Sequence, residues 1–130
     1  MKVVVFLSLL ATLNIGCQNS NPPSETKIHA VHNQYFYHNL LIKWKDSIDT
    51  EMKAEMLDLL KGIPEKIEGF ETIEFKTLEK GEKEFDLLVI QKYSSREAEE
   101  IYQTHPDHLK AKTYGVELIA KMAKFDYWGE

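Results

Sequence analysis

Five histidines and a single cysteine are the side chains of this 130-residue chain most able to bind a metal, move a proton near neutral pH or carry an acyl group. His29 and His32 lie three apart in the polar stretch QNSNPPSETKIHAVHNQ, His105 and His108 lie three apart in YQTHPDH, and His38 stands alone among apolar neighbours in YFYHNLLIKW. A protein metal site takes three or four ligands. His29 and His32 have no cysteine or carboxylate partners and read as part of a solvated linker. Between His105 and His108 only Asp107 is offered, so no metal and no cofactor is expected. Thr104-His105-Pro106 also reads as a helix restart, with proline at the first helical position and the residue before it driven out of the α region. On that reading His108 satisfies backbone groups at the restart. Tyr102 then reads as a core aromatic with its hydroxyl at the rim, and His38 as a hydrogen-bonded core histidine. The residue types alone leave these readings open against proton transfer.

Cys17 ends the segment MKVVVFLSLLATLNIGC. One charge at Lys2, an apolar run over 3–13 broken only by Ser8 and Thr12, and small Gly16 at the cut describe an export signal, because a membrane-spanning helix needs about 20 apolar residues. The segment resembles a bacterial lipobox: Ile15 and Gly16 fit, while Asn14 stands where leucine is usual. The resemblance implies that residues 1–16 are removed and that Cys17 becomes a lipidated N-terminus. An ordinary secretory signal with an unrelated cysteine, or a buried free thiol, is the alternative. A cysteine carrying two or three acyl chains anchors stably where one chain does not. Gln18 after the cysteine, rather than aspartate, favours the outer membrane in a cell that has two. The expected location is therefore the bacterial cell envelope, on a membrane surface.

Residues 17–130 suffice for one domain. The chain carries a formal charge of −5, and the leader removes only Lys2, so the mature form is slightly more acidic. Without a basic cluster, nucleic acid is not an expected partner. No second cysteine is present for a disulfide, and apolar packing has to supply the stability. Residues 17–34 form the lipidated cysteine and a linker that spans roughly 50–60 Å at about 3.3–3.6 Å per extended residue. The domain occupies 35–130.

The candidate residues are positioned by a regular succession of elements. Phe36, His38, Leu40, Ile42 and Trp44 alternate with Tyr37, Asn39, Leu41 and Lys43, the period of a strand. Asp49 caps a helix over about 50–61 with apolar residues Met52, Met56, Leu59, Leu60 and Ile63, stopped by Gly62 and Pro64. A second strand runs over 70–78, with Ile73, Phe75 and Thr77 on one face. The polar EKGEK turn follows, then a third strand over 85–93 whose run of Leu87, Leu88, Val89 and Ile90 predicts cover on both faces. Ser94 and Glu97 form a capping-box pair for a helix to about Thr104. A further helical stretch spans about 107–117, and a last strand runs over 122–127. Strand, helix, strand, strand, helix, strand predicts an α+β, ferredoxin-like β-α-β-β-α-β fold with a four-stranded, mostly antiparallel sheet. Its second face has apolar parts, and a partner subunit is the simplest cover.

HNLLIKWKDSI at 38–48, GIPEKIEGF at 62–70, EFDLLVIQKYSSREAEEIYQTHPDH at 84–108 and KFDYW at 124–128 together resemble the Dabb domain, the stress-responsive α/β-barrel family, over about 36–128. The resemblance implies a homodimer in which two sheets pack face to face as a dimeric α/β barrel. Some plant members of the family are polyketide cyclases that close a poly-β-keto chain by aldol condensation. Matched by motif, their base falls on His108, the tyrosine that orients base or substrate on Tyr102, and a first-strand histidine on His38. An imidazole can take an acidic proton between two carbonyls, and a phenol can hold an enolate oxygen. The cyclases also carry a histidine on the third strand, where this chain is apolar near Leu87, and a first-helix tyrosine without counterpart here.

These observations predict a lipid-anchored, homodimeric Dabb protein whose pocket, lined by Leu87, Val89 and the first helix beside His108, binds a small apolar or aromatic molecule. Two alternatives stand beside this reading. One is an enzyme using His108 as base, either a cyclase-like lyase or a cofactor-free monooxygenase; export disfavours cyclase chemistry, because acyl-thioester substrates are cytosolic. The other is a structural, stress-protective dimer with a filled pocket.

Overall fold

The computed structural model describes residues 34–79 and 84–130. The expectations for the leader, Cys17, His29 and His32 lie outside the described residues. Strand β1 (Tyr35–Trp44) is followed by helix α1 (Thr50–Lys61), a 3-10 turn (Pro64–Lys66), β2 (Phe70–Thr77), β3 (Leu87–Tyr93), α2 (Arg96–Thr104), α3 (Pro106–Leu118) and β4 (Ile119–Gly129). The sheet order is β2-β3-β1-β4 with every neighbouring pair antiparallel. This is the ferredoxin-like α+β arrangement that the order of elements predicts.

The element boundaries follow local chemistry. The Asp49 carboxylate accepts from the backbone N–H groups of Glu51 and Met52, at 2.9 Å each, and starts α1. At the other end the Gly62 N–H reaches the carbonyls of Asp58 and Leu59, and Pro64 opens the 3-10 turn. The chain enters β2 through Gly69, whose φ of +84° suits glycine and whose missing Cβ would lie 2.7 Å from Ser94 Oγ.

Register fixes which residues share a face. Phe36, His38, Leu40 and Ile42 of β1 stand level with Tyr93, Gln91, Val89 and Leu87 of β3 and with Trp128, Asp126, Lys124 and Met122 of β4. This face packs against the helices: Met56 and Leu60 from α1, Ala98 and Tyr102 from α2, and Ala111 and Leu118 from α3 join Phe36, Phe70 and Tyr93 in one buried cluster. Each large apolar side chain so buried contributes about 1.5–3 kcal/mol. The opposite face carries Tyr37, Leu41, Leu88, Ile90, Phe125 and Tyr127.

Strand β3 is interior to the sheet; within one chain its helix side is fully buried and Leu88 and Ile90 on the other side are half-buried, because the helices lie on one face. Two expectations need correction. The α2 cap is Ser95, which accepts from Ala98 N–H at 3.2 Å, and not Ser94. Ser94 is spent elsewhere: its N–H donates to the Gly69 carbonyl at 2.8 Å, and its hydroxyl points to the same oxygen. Strand β4 is longer than 122–127, since α3 passes into it without a loop and Ile119 is both the helix cap and the first strand residue.

Candidate functional site

Gln91 is the polar centre of the helix-side core. Its side chain is fully buried, its Nε2 donates to the Tyr102 hydroxyl at 2.9 Å, and its Oε1 accepts from the Tyr93 hydroxyl at 2.7 Å. Both amide functions are thereby satisfied, as a buried amide requires. Burial pushes the Tyr102 hydroxyl up to about 12 and that of Tyr93 higher still, so both remain phenols. Tyr102 therefore holds its proton and can donate it. Sequence reasoning overlooked Gln91, although the signal was present: at period two it falls inward with Leu87, Val89 and Tyr93, and an inward glutamine needs partners.

His108 lies flat on Tyr102, with ring centroids 4.0 Å apart and planes 22° from parallel. Its Nδ1 is 3.3 Å from the Gln103 carbonyl oxygen. A carbonyl only accepts, so Nδ1 carries the hydrogen and Nε2 keeps a lone pair. Burial, chiefly, holds the His108 pKa below the ordinary imidazole value; nearby Lys112 and His38 push the same way, against the hydrogen bond to the Gln103 carbonyl. The side chain thus does one thing the restart reading asks of it, satisfying a carbonyl at the end of α2. The start of α3 itself is capped by His105, whose Nδ1 accepts from Asp107 N–H at 3.2 Å.

His38 is buried and directly opposite Asp126 in the β1–β4 ladder, with Nδ1 2.7 Å from Asp126 Oδ1. The carboxylate fixes the hydrogen on Nδ1 and orients the ring. Behind it, Arg96 sits 3.9 Å from Asp126 Oδ2 and 3.9 Å from Glu99 Oε2, and lies over the Phe36 ring at 4.4 Å. Buried Glu99 also accepts from Gln103 Nε2 at 2.6 Å. Glu99, Arg96 and Asp126 were not legible as site residues, because their partners come from elements distant in sequence.

His38, Tyr102 and His108 border one cavity of about 440 Å³ between the sheet and the helices. The rest of its wall is mostly apolar: Leu40 and Ile42 from β1, Met56 and Leu60 from α1, Ala111 and Val116 from α3, and Ile119 and Met122 at the start of β4. The expected lining by the first helix is present. Leu87 and Val89 are not part of it; they are buried in a cluster with Ile42, one strand further in. The cavity opens toward β4 because β4, and not β3, flanks β1 on that side. Among the described residues no group of three histidine, cysteine or carboxylate side chains is placed to hold a metal ion.

Fold and cavity together define a ferredoxin-like α+β domain with a ligand-sized space between its helices and its sheet. The chain matches the Stress Responsive A/B Barrel Domain (Dabb) over residues 36–128, and it belongs to that family. Similar solved structures include a dimeric protein of ferredoxin-like fold from Bacteroides fragilis, 23% identical with a TM-score of 0.58, covering 72% of this chain and 94% of that one. A Dabb family protein from Mesorhizobium loti is 19% identical with a TM-score of 0.59, over 72% of this chain and 95% of its own. A hydroxynitrile lyase from Passiflora edulis is 10% identical with a TM-score of 0.65, over 75% and 95%. At these identities the likeness concerns the fold. Those chains consist almost wholly of this domain. No curated protein matches the sequence.

Proposed function

We propose that this chain is a lipid-anchored Dabb-domain protein of the bacterial envelope that dimerises through the open face of its sheet and binds a small apolar or aromatic molecule in the helix-side cavity. The observation that carries this reading is the cavity itself: about 440 Å³, walled mainly by aliphatic side chains and reaching His108 and Tyr102. Ligand sites are of this size and character, with few polar groups among apolar ones. A space filled with side chains would have favoured a structural dimer. Dimerisation is supported by the dimeric state of the Bacteroides fragilis structure and a second dimeric ferredoxin-like protein from Thermobifida fusca. The anchor rests on Gly16-Cys17 at the end of a short apolar run.

A second reading, proton-transfer catalysis at the same cavity, is favoured by one feature. Nδ1 of His108 is committed to the Gln103 carbonyl, which leaves a neutral ring with a basic Nε2 beside a phenol. A protein of the same fold, from Passiflora edulis, is a hydroxynitrile lyase. Against cyclase-type chemistry, β3 presents buried Leu87 where those enzymes place a histidine.

The experiment is small-molecule profiling of the purified domain and its His108→Asn variant. Asparagine keeps an N–H for the Gln103 carbonyl and removes the Nε2 lone pair. Ligands retained by both proteins support binding alone, and compounds consumed only by the parent support catalysis. If neither protein retains or consumes any compound, the cavity is not a ligand site.

A further inference from the structure

The mouth of the cavity is basic in a chain that is acidic as a whole. Lys112 of α3 and Lys121 and Lys124 of β4 line it, and no aspartate or glutamate does. The chain's formal charge is −5. Lys121 is paired with Glu84. Lys112 and Lys124 have no ion pair among the described residues, and both are exposed. Lys112 follows His108 by one helical turn, close enough for its charge to disfavour protonation of that imidazole. Lys124 is level with Leu40 of β1, on the helix side of the sheet. The two ammonium groups thus come from the two elements that flank the opening.

The inner part of the cavity has a different character. Its walls are aliphatic, and besides the lysines the polar side chains that reach it are His38, Tyr102, Gln103 and His108. An apolar body is favoured inside, where an anion would lose its hydration for no fixed countercharge. An anionic head is favoured at the mouth, where two cations stand unspent.

Building on the ligand-binding reading above, we propose that the cavity takes an amphiphilic monocarboxylate, its apolar part among Leu40, Ile42, Met56 and Leu60 and its carboxylate at Lys112 and Lys124. At about 30 Å³ per water-sized unit, a space of about 440 Å³ has room for roughly fifteen non-hydrogen atoms. A ten-carbon straight-chain acid fits within it.

The test compares decanoate with decanol by titration calorimetry on residues 34–130 and on a Lys112→Gln/Lys124→Gln double variant. Decanoate should bind the parent domain about tenfold more tightly than decanol, a difference of about 1.4 kcal/mol. The double variant should lose that preference while binding decanol as before. Equal binding of the two by the parent domain, or a preference that survives in the double variant, overturns the carboxylate assignment and leaves the apolar cavity reading standing. If neither compound binds the parent domain, the cavity reading fails together with this one.

Discussion

The His108 imidazole and the Tyr102 phenol are stacked at 4.0 Å, and each is held from behind by a different element. Gln91 of β3 fixes the phenol, and the Gln103 carbonyl at the end of α2 fixes the imidazole. The α2–α3 break is what makes this possible: His108 sits on the first turn of α3, facing the last turn of α2, which a continuous helix would not allow.

The first prediction concerns pH. The folded-state pKa of His108 lies below the unfolded value of about 6.5, so the unfolded chain binds the proton more readily. Its contribution to stability is therefore full above about pH 6.5 and is lost as pH falls toward the folded pKa. Glu55 and Asp107, whose carboxyls are held below their usual range by Lys110 and Lys66, act only at lower pH. Urea denaturation between pH 5 and 7.5 should show stability rising with pH, with a smaller rise in His108→Asn. Equal slopes in the two proteins would mean that His108 is not buried as a neutral ring.

A second concerns Gln91. Replacing it with leucine leaves the hydroxyls of Tyr93 and Tyr102 without their partner in the core, each costing about 1–3 kcal/mol. We expect Gln91→Leu to lose about 2–4 kcal/mol in denaturant unfolding, and Gln91→Leu/Tyr102→Phe to lose less than the two single changes added together. Strict additivity would show that the amide and the phenol do not act as a pair.

The third addresses assembly. On the open face Tyr37 stacks on Tyr127 at 4.8 Å, and Phe125 and Tyr127 are each nearly half exposed, at 47% and 46%. An interface of ordinary size buries about 800 Å² per partner. Light scattering on residues 34–130 at micromolar concentration should give twice the chain mass, and Phe125→Asp should give a monomer. A monomeric parent domain would remove the face-to-face barrel.

The fourth concerns the N-terminus. Intact mass of protein purified from membranes should correspond to a chain beginning at Cys17 plus a lipid increment. Cys17→Ser should instead yield either released protein or the uncleaved leader. A mature form that lacks the increment refutes the anchor.

How much of this could be read beforehand depends on the range of the interaction. Helix α1 was legible to the residue because its start and stop, Asp49 and Gly62-Pro64, act within a turn of themselves. The alternation of β1 grouped His38 with Phe36, Leu40 and Ile42 on one face correctly, since period two needs no knowledge of neighbours. The choice of Ser95 over Ser94 as cap was not legible, because a carbonyl 25 residues away at Gly69 claims Ser94. Likewise Asp126, 88 residues from His38, becomes its partner only through the β1–β4 register. The cavity wall followed the same rule. Leu87 and Val89 have the right parity, yet sheet order hands the opening to β4.

That sheet order has another consequence. It leaves β2 and β4 with bare backbone edges, the kind of edge that recruits further strands into an open-ended ribbon. Both are studded with charge: exposed Glu71, Glu74 and Lys76 on one, Lys121, Lys124 and Asp126 on the other. On the proposed anchor, copies held on one membrane surface would collide far more often than copies dispersed in solution. Guarded rims beside an aromatic face would then direct that crowding into discrete pairs, which cannot grow, and away from polymer, which can.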